Sequence, residues 1–181
     1  MASISTFMKF AKYKPKKFNI EEHKFNICEP LSATGLRAIR YLLELNPNKV
    51  GEIVASDMDK NAQNVLEKNA IYNKIDINTE KSKLKIYCSE ATQLLYSNLK
   101  HFDIIDLDPY GTAIPLLDSA IQSLPSGGFL CVTFTDMPVL CGNYQETCYY
   151  KYSTISAKKP YCHEVRIFLI LDGYTNSFIQ H

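Results

Sequence analysis

The sequence predicts an open, doubly wound α/β fold. Three observations carry that prediction. From residue 25 onward short apolar runs alternate with helix-like segments. The run 102–107 is apolar almost throughout, as suits a strand buried on both faces of a parallel sheet. Acidic residues stand where successive runs end, at Glu29, Asp57, Glu90 and Asp108.

Taken in order, Phe25–Glu29 reads as a first strand, and Thr34–Leu45 as a helix with Leu36, Ile39 and Leu43 at helical spacing. Glu52–Ser56 is a short second strand ending at Asp57. Asp59 can cap a helix running to about Ala70, with Ala62, Val65, Leu66 and Asn69 on one side. The polar stretch 73–83 is a loop, and Leu84–Cys88 a third strand. Phe102–Leu107 is a fourth, central strand. Pro115–Leu124 fits a helix with proline at its start. Gly127 and Gly128 turn the chain into a fifth strand, Phe129–Phe134, and a last helix is expected over His163–Leu171 with Gly173 as its stop. Five strands alternating with helices imply a parallel sheet with right-handed crossovers. The fifth strand lacks charge and proline and makes a poor edge, so a cover from outside these 181 residues is expected.

With 46% apolar and 22% charged residues, the chain has the composition of a globular domain, and no apolar run is long enough to span a bilayer. No signal-peptide h-region follows the start, so secretion is not expected. The six cysteines include no C-x-x-C pair, and Cys28, Cys88 and Cys131 fall in strand-like runs, which suits free thiols in a reducing compartment. Cys141, Cys148, Cys162 and His163 match no usual zinc spacing, so no metal is expected. The net charge of +1 does not by itself announce a nucleic-acid binder. Its distribution is uneven: residues 1–20 hold Lys9, Lys12, Lys14, Lys16 and Lys17 and no acid. Residues 1–24 are therefore expected to be a basic, solvated, partly disordered arm ahead of a core at 25–181; a phosphate-contacting or targeting segment is the sharper alternative.

Open α/β sheets bind ligands beyond the carboxyl ends of their strands. After the first strand, Glu29-Pro30-Leu31-Ser32-Ala33-Thr34-Gly35-Leu36-Arg37 is a small-residue turn into a helix, without the G-x-G-x-x-G that grips a pyrophosphate. Asp57 has the two oxygens needed for both hydroxyls of a ribose. Glu90 can accept from the amino group of an adenine. The three strand ends together outline an adenosine-shaped pocket with no phosphate cradle.

Asp108-Pro109-Tyr110-Gly111 ends the fourth strand. An amine conjugated to a nucleobase is a poor nucleophile, because its lone pair is delocalised into the ring. Attack on a sulfonium methyl needs that nitrogen held in line with its hydrogens bonded. Asp108 can accept one hydrogen, the Pro109 carbonyl another, and Tyr110 can stack on the base. Asp106 lies two residues earlier and faces the same side; it is either an orienter behind Asp108 or a solvated charge. Asp136 follows the fifth strand, and Cys148-Tyr149-Tyr150-Lys151-Tyr152 is either a surface for bases and phosphates or a packed loop.

These residues resemble the tRNA guanine-26 N2-dimethyltransferases. The likeness runs through 33–41, Asp57, 102–111, 117–122, 127–137, 148–152 and 162–164. It implies a class I S-adenosylmethionine-dependent methyltransferase fold, and methylation, once or twice, of the guanine 2-amino group at position 26 of tRNA. By matching positions it implies that Arg37, Asp57 and Glu90 contact S-adenosyl-L-methionine; Glu29 and Gly35 of the first turn are further candidate cofactor-binding residues. Asp108 would be the catalytic carboxylate, with Pro109 and Tyr110 holding the guanine. The partner it implies is tRNA, with no membrane and no obligatory protein partner, in the nucleus, the mitochondrion or the cytoplasm. Two departures stand out. Residues 1–25 lack the family's Asn-Arg-Asp segment, and the family continues into further strands and a C-terminal tRNA-binding domain. The expectation is thus a catalytic-domain fragment, its sheet cut short after the fifth strand. The rival readings are an inactive remnant that binds RNA or a partner, and an adenine-N6 methyltransferase of nucleic acid.

Overall fold

The computed structural model describes residues 2–10 and 23–155. The helix expected at 163–171 lies outside these residues. The described chain divides into two compact units, one taking in the chain up to Asp108 together with Leu116–Val132, the other Pro109–Pro115 and the chain from Thr133 onward.

The first unit is built on five parallel strands: β1 (Phe25–Glu29), β2 (Val50–Asp57), β3 (Leu84–Cys88), β4 (Ile104–Leu107) and β5 (Phe129–Val132). They lie in the order β3-β2-β1-β4-β5. Connections leave β1 toward opposite edges, which makes the β1/β4 boundary the topological switch point. β4 is wholly buried, as its apolar run requires, but it lies between the middle strand β1 and the edge strand β5 rather than at the centre; the four residues of β5 are half-buried. Ile27, Ile53, Ala55 and Ile104 form the middle of the core.

The helices of the first unit are α1 (Ala2–Phe10), α2 (Leu36–Glu44), α3 (Lys60–Tyr72), α4 (Ala91–Tyr96) and, from Leu116 onward, α5 (Ile114–Ser123). Asp59 caps α3 as expected, its carboxylate accepting from the Asn61 amide at 2.8 Å. Several expected faces differ. α2 begins at Leu36 rather than Thr34, and it buries Ala38, Ile39 and Tyr41. Leu36 and Leu43 are 65% and 58% exposed. A periodicity of three or four residues defines a face, but not which flank of it meets the sheet. On α3 the buried residues are Leu66 and Ala70, and Val65 is exposed. Cys28 is fully buried, whereas Cys88 is exposed and Cys131 half-buried, because β3 and β5 are edges.

The start of the chain also differs from a loose arm. Residues 2–10 are helical, and Ile4 and Met8 enter the main core. Phe7 stacks on Phe129 of β5, with centroids 4.8 Å apart and planes 14° from parallel, and meets Phe25 of β1 edge-on at 5.8 Å. Apolar side chains at positions 4, 7 and 8 give α1 one face that leaves water against the sheet.

In the second unit α6 (Met137–Leu140) and α7 (Gln145–Tyr152) follow the segment 133–136. The fifth strand thus stops at Val132, two residues short of the expected Phe134, which is instead buried against Tyr152 of α7.

Ile4→Ala is expected to cost roughly 2–4 kcal/mol of stability in urea denaturation, the usual loss for emptying a buried aliphatic site. An unchanged midpoint would mean that residues 2–10 do not belong to the core.

Candidate functional site

The carboxyl end of β1 delivers Glu29 to the switch point, and the chain then turns through Pro30–Gly35 into α2. That turn is pinned to the end of β2. The Ser32 amide and hydroxyl both donate to the Ser56 carbonyl, at 2.7 and 2.9 Å. Gly35 has φ +74°, and a Cβ there would lie 2.4 Å from Leu66 Cγ. Glycine is needed for the left-handed backbone and for the approach of α3. The missing side chain at 35 therefore makes room for Leu66.

Glu29 is buried, and its Oε2 accepts from the Ala38 amide in the first turn of α2 at 2.9 Å. Burial, followed by the charge of Asp106, pushes its carboxyl up to about 8. At neutral pH it is protonated. The structure places it beneath the helix, as a support for the turn.

Asp57 braces two loops with its two oxygens: Oδ2 accepts from the Ala33 amide and Oδ1 from the Asp59 amide, each at 2.9 Å. Glu90 is the N-cap of α4, accepting from the Thr92 and Gln93 amides at 2.9 and 2.8 Å. Slight burial raises its pKa and the two amides lower it, with the amides prevailing. Its capping role was not expected from the sequence, because α4 is only six residues long.

Arg37 occupies the centre. Its Nη1 donates to Asp106 Oδ2 at 2.9 Å and its Nη2 to Asp108 Oδ2 at 2.5 Å. The Tyr41 hydroxyl, one turn along α2, also donates to Asp106 Oδ2. Burial works against the Arg37 charge, but Asp106 and Asp108 outweigh it and its pKa moves up. Burial and the bond to Asp106 push the Tyr41 phenol well up, which keeps it a neutral donor. Asp106 is buried and engaged, not solvated. Asp108 is about one-third exposed, at the mouth of the strand end.

Pro109, Tyr110 and Gly111 open the second unit. Tyr110 is fully exposed, and Gly111 has φ +77° with open space where a Cβ would stand. The loop is tied reciprocally to Thr135: the Gly111 amide donates to the Thr135 hydroxyl at 2.7 Å, and the Thr135 amide to the Gly111 carbonyl at 2.8 Å. Next to it Asp136 accepts from the Tyr152 hydroxyl and stands 3.7 Å from the Lys151 ammonium. Its other oxygen is buried with no hydrogen-bond partner among the described residues. The Cys148–Tyr152 segment combines both expected characters: it is helical, with Cys148 and Tyr152 buried and Tyr149 and Tyr150 exposed. Among the described residues no three His, Cys, Asp or Glu side chains gather as a metal site; Cys162 and His163 lie outside them. No described helix is long and apolar enough to cross a membrane.

The comparisons with known proteins agree with this geometry. The family model described as N2,N2-dimethylguanosine tRNA methyltransferase matches residues 3–177. The chain belongs to that family. It is 46% identical over 141 residues to the tRNA (guanine(26)-N(2))-dimethyltransferase of Schizosaccharomyces pombe, covering 77% of this chain and 24% of that protein. With the enzyme of the same name from Caenorhabditis elegans it shares 39% identity over 177 residues, covering 92% of this chain and 32% of the relative. Among solved structures, the S-adenosyl-L-methionine complex of Trm1 from Pyrococcus horikoshii superposes with a TM-score of 0.72 at 30% identity. That match covers 81% of this chain and 41% of the other. The chain thus spans about a quarter to a third of the length of these two curated relatives. The class I methyltransferase core of this family is the fold described above.

Glu29 gives the site a measurable pH signature. Its carboxyl binds its proton more tightly folded than unfolded, so its contribution to stability is full below about 4.5 and is lost as pH rises toward about 8. Glu29→Gln, which can still accept from the Ala38 amide, is expected to flatten the decline in stability between pH 5 and 8. An identical slope in both proteins, from denaturation at several pH values, would show that Glu29 titrates normally.

Proposed function

We propose that this chain forms the cofactor- and base-binding part of an enzyme that methylates, once or twice, the 2-amino group of guanine 26 in tRNA, with S-adenosylmethionine as donor. One observation carries the reading. A carboxylate just after the buried strand β4, Asp108, is held at 2.5 Å by Arg37 and is followed at once by a rigid proline carbonyl and an exposed aromatic ring. Relatives bearing the name tRNA (guanine(26)-N(2))-dimethyltransferase, and a neighbour bound to S-adenosyl-L-methionine, support it.

The residues at the strand ends fit such a cofactor. Each oxygen of Asp57 holds one backbone amide and keeps a second lone pair, enough for the two hydroxyls of a ribose. Glu90 is exposed and likewise keeps a lone pair on each oxygen, which suits an adenine amine. Glu29 and Gly35 fix the first turn. When bound, the cofactor would supply a methyl group made electrophilic by a positively charged sulfur, which gives up its bond to that carbon and leaves as a neutral thioether. The protein's part is placement. Tyr110 stacks on the base, the Pro109 carbonyl takes one amine hydrogen, and Asp108 takes the other and receives the proton that the nitrogen sheds as its bond to carbon forms.

Asp57→Ala is expected to weaken cofactor binding at least tenfold in calorimetry. Asp108→Asn should keep that affinity and lose roughly 100-fold or more in methyl transfer to a tRNA transcript with guanosine at position 26. Inosine at that position lacks the amine and should receive no methyl. Undiminished transfer by Asp108→Asn would remove the assigned role, and methylation of adenine in preference to guanine would remove the substrate.

A further inference from the structure

Asp106 and Tyr41 are buried polar groups to which neither the resemblance nor the proposed chemistry gives a task. Asp106 lies two residues before Asp108 and points to the same side of the sheet, yet it is 6% exposed. Its Oδ2 collects two donors, the Tyr41 hydroxyl and Arg37 Nη1. Arg37 and Tyr41 are four residues apart on α2, so the helix presents both to the same carboxylate. The far side of the guanidinium then emerges at the cleft and meets Asp108, where the two side chains are 36% and 35% exposed.

We propose that Asp106 and Tyr41 are positioning residues: they seat the Arg37 guanidinium, and Arg37 in turn fixes the Asp108 carboxylate in the one orientation that serves the amine. The inference rests on the reading of Asp108 as the acceptor of the amine hydrogen.

The reasons are geometric. A half-exposed arginine and aspartate, left to themselves, form a loose pair with little energy to hold either side chain still. Here one end of the planar guanidinium is anchored to a buried acid that a phenol also grips, so the other end is fixed in space. Arg37 takes only Oδ2 of Asp108, and among the described residues no hydrogen bond falls on Oδ1. That oxygen is left for an amine hydrogen, at a place set by the clamp. A buried ion pair adds little net stability over apolar residues of the same size, so stability alone gives weak reason to keep this one. The other ionisable groups around it do not compete for the cation. Glu29 on β1 is protonated at neutral pH, and burial, with Asp106 adding to it, pushes the Cys131 thiol on β5 up to about 11.

Two variants of this chain test the clamp, Tyr41→Phe, which removes one oxygen, and Asp106→Asn. The readouts are cofactor Kd by calorimetry, kcat and KM for the guanosine-26 transcript, and the Arg37 Nη signals in nitrogen-15 NMR. Expected are a kcat lower by about 10-fold in Tyr41→Phe and about 100-fold in Asp106→Asn, as for a misplaced reacting group, with cofactor Kd and tRNA KM within about twofold. The wild-type chain should show separate, slowly exchanging Nη signals that merge in Asp106→Asn. An unchanged kcat in both variants overturns the inference. So does a loss of cofactor affinity that matches the loss in kcat, because Arg37 would then serve the cofactor rather than Asp108. Tyr41→Phe changes so little volume that it still decides the matter if Asp106→Asn fails to fold. If the wild-type chain transfers no methyl, the proposed function fails for this chain while the NMR arm still judges the clamp: merging in Asp106→Asn upholds it, and separate signals that persist there overturn it.

Discussion

Three carboxyl groups, Glu29, Asp106 and Asp108, crowd around a single guanidinium where β1 and β4 run side by side, and the rest of the site depends on how that crowding is resolved. One cation cannot balance three anions in a partly buried place, where like charges a few ångströms apart repel by roughly several kcal/mol. The fold removes one charge by burial: Glu29 keeps its proton to about pH 8 and spends Oε2 on the Ala38 amide. Arg37 is then left to Asp106 and Asp108. The first turn of α2, the tilt of Arg37 and the placement of Asp108 are all consequences of that division.

The same economy recurs at the other strand ends. Asp57 holds backbone amides in the loops after β1 and β2, and Glu90 holds two amides in the first turn of α4, while each oxygen keeps a second lone pair. A carboxylate anchored in this way meets a ligand without first losing side-chain freedom, which is how an open sheet pre-forms a binding crevice. The loop after β1 is held just as firmly through Ser32 and Gly35, so the groups at all three strand ends are fixed.

Beyond Asp108 the chain passes into its second unit, where different means apply. The Pro109–Gly111 loop is tied to Thr135 by two hydrogen bonds, and Asp136 is steadied by Tyr152. Tyr110, Tyr149 and Tyr150 stay in water. A flat ring kept exposed on a pinned loop suits contact with an unstacked base. The sequence marks Asp136 as the acid after the fifth strand, and tertiary structure alone buries one of its oxygens without a hydrogen-bond partner among the described residues.

The sequence by itself determined the α/β alternation, the five strands within a few residues of their ends, the Asp59 cap and the four acids at the strand ends. These are local matters of apolar period, turn chemistry and the first polar residue after a buried run. It also carried the family, because a long series of short motifs in fixed order is hard to meet by chance. Tertiary structure decided what no period encodes. It chose which flank of α2 faces the sheet, leaving Leu36 and Leu43 in water and burying Tyr41. It drew residues 2–10 into the core through Ile4, Phe7 and Met8. It gave Gly35 its task against Leu66, 31 positions further along the chain, and joined Arg37 to acids 69 and 71 positions away. Such partners meet only when parallel strands bring distant segments to one edge of the sheet, so the charges that settle the site could not be paired from the sequence before the strand order was known.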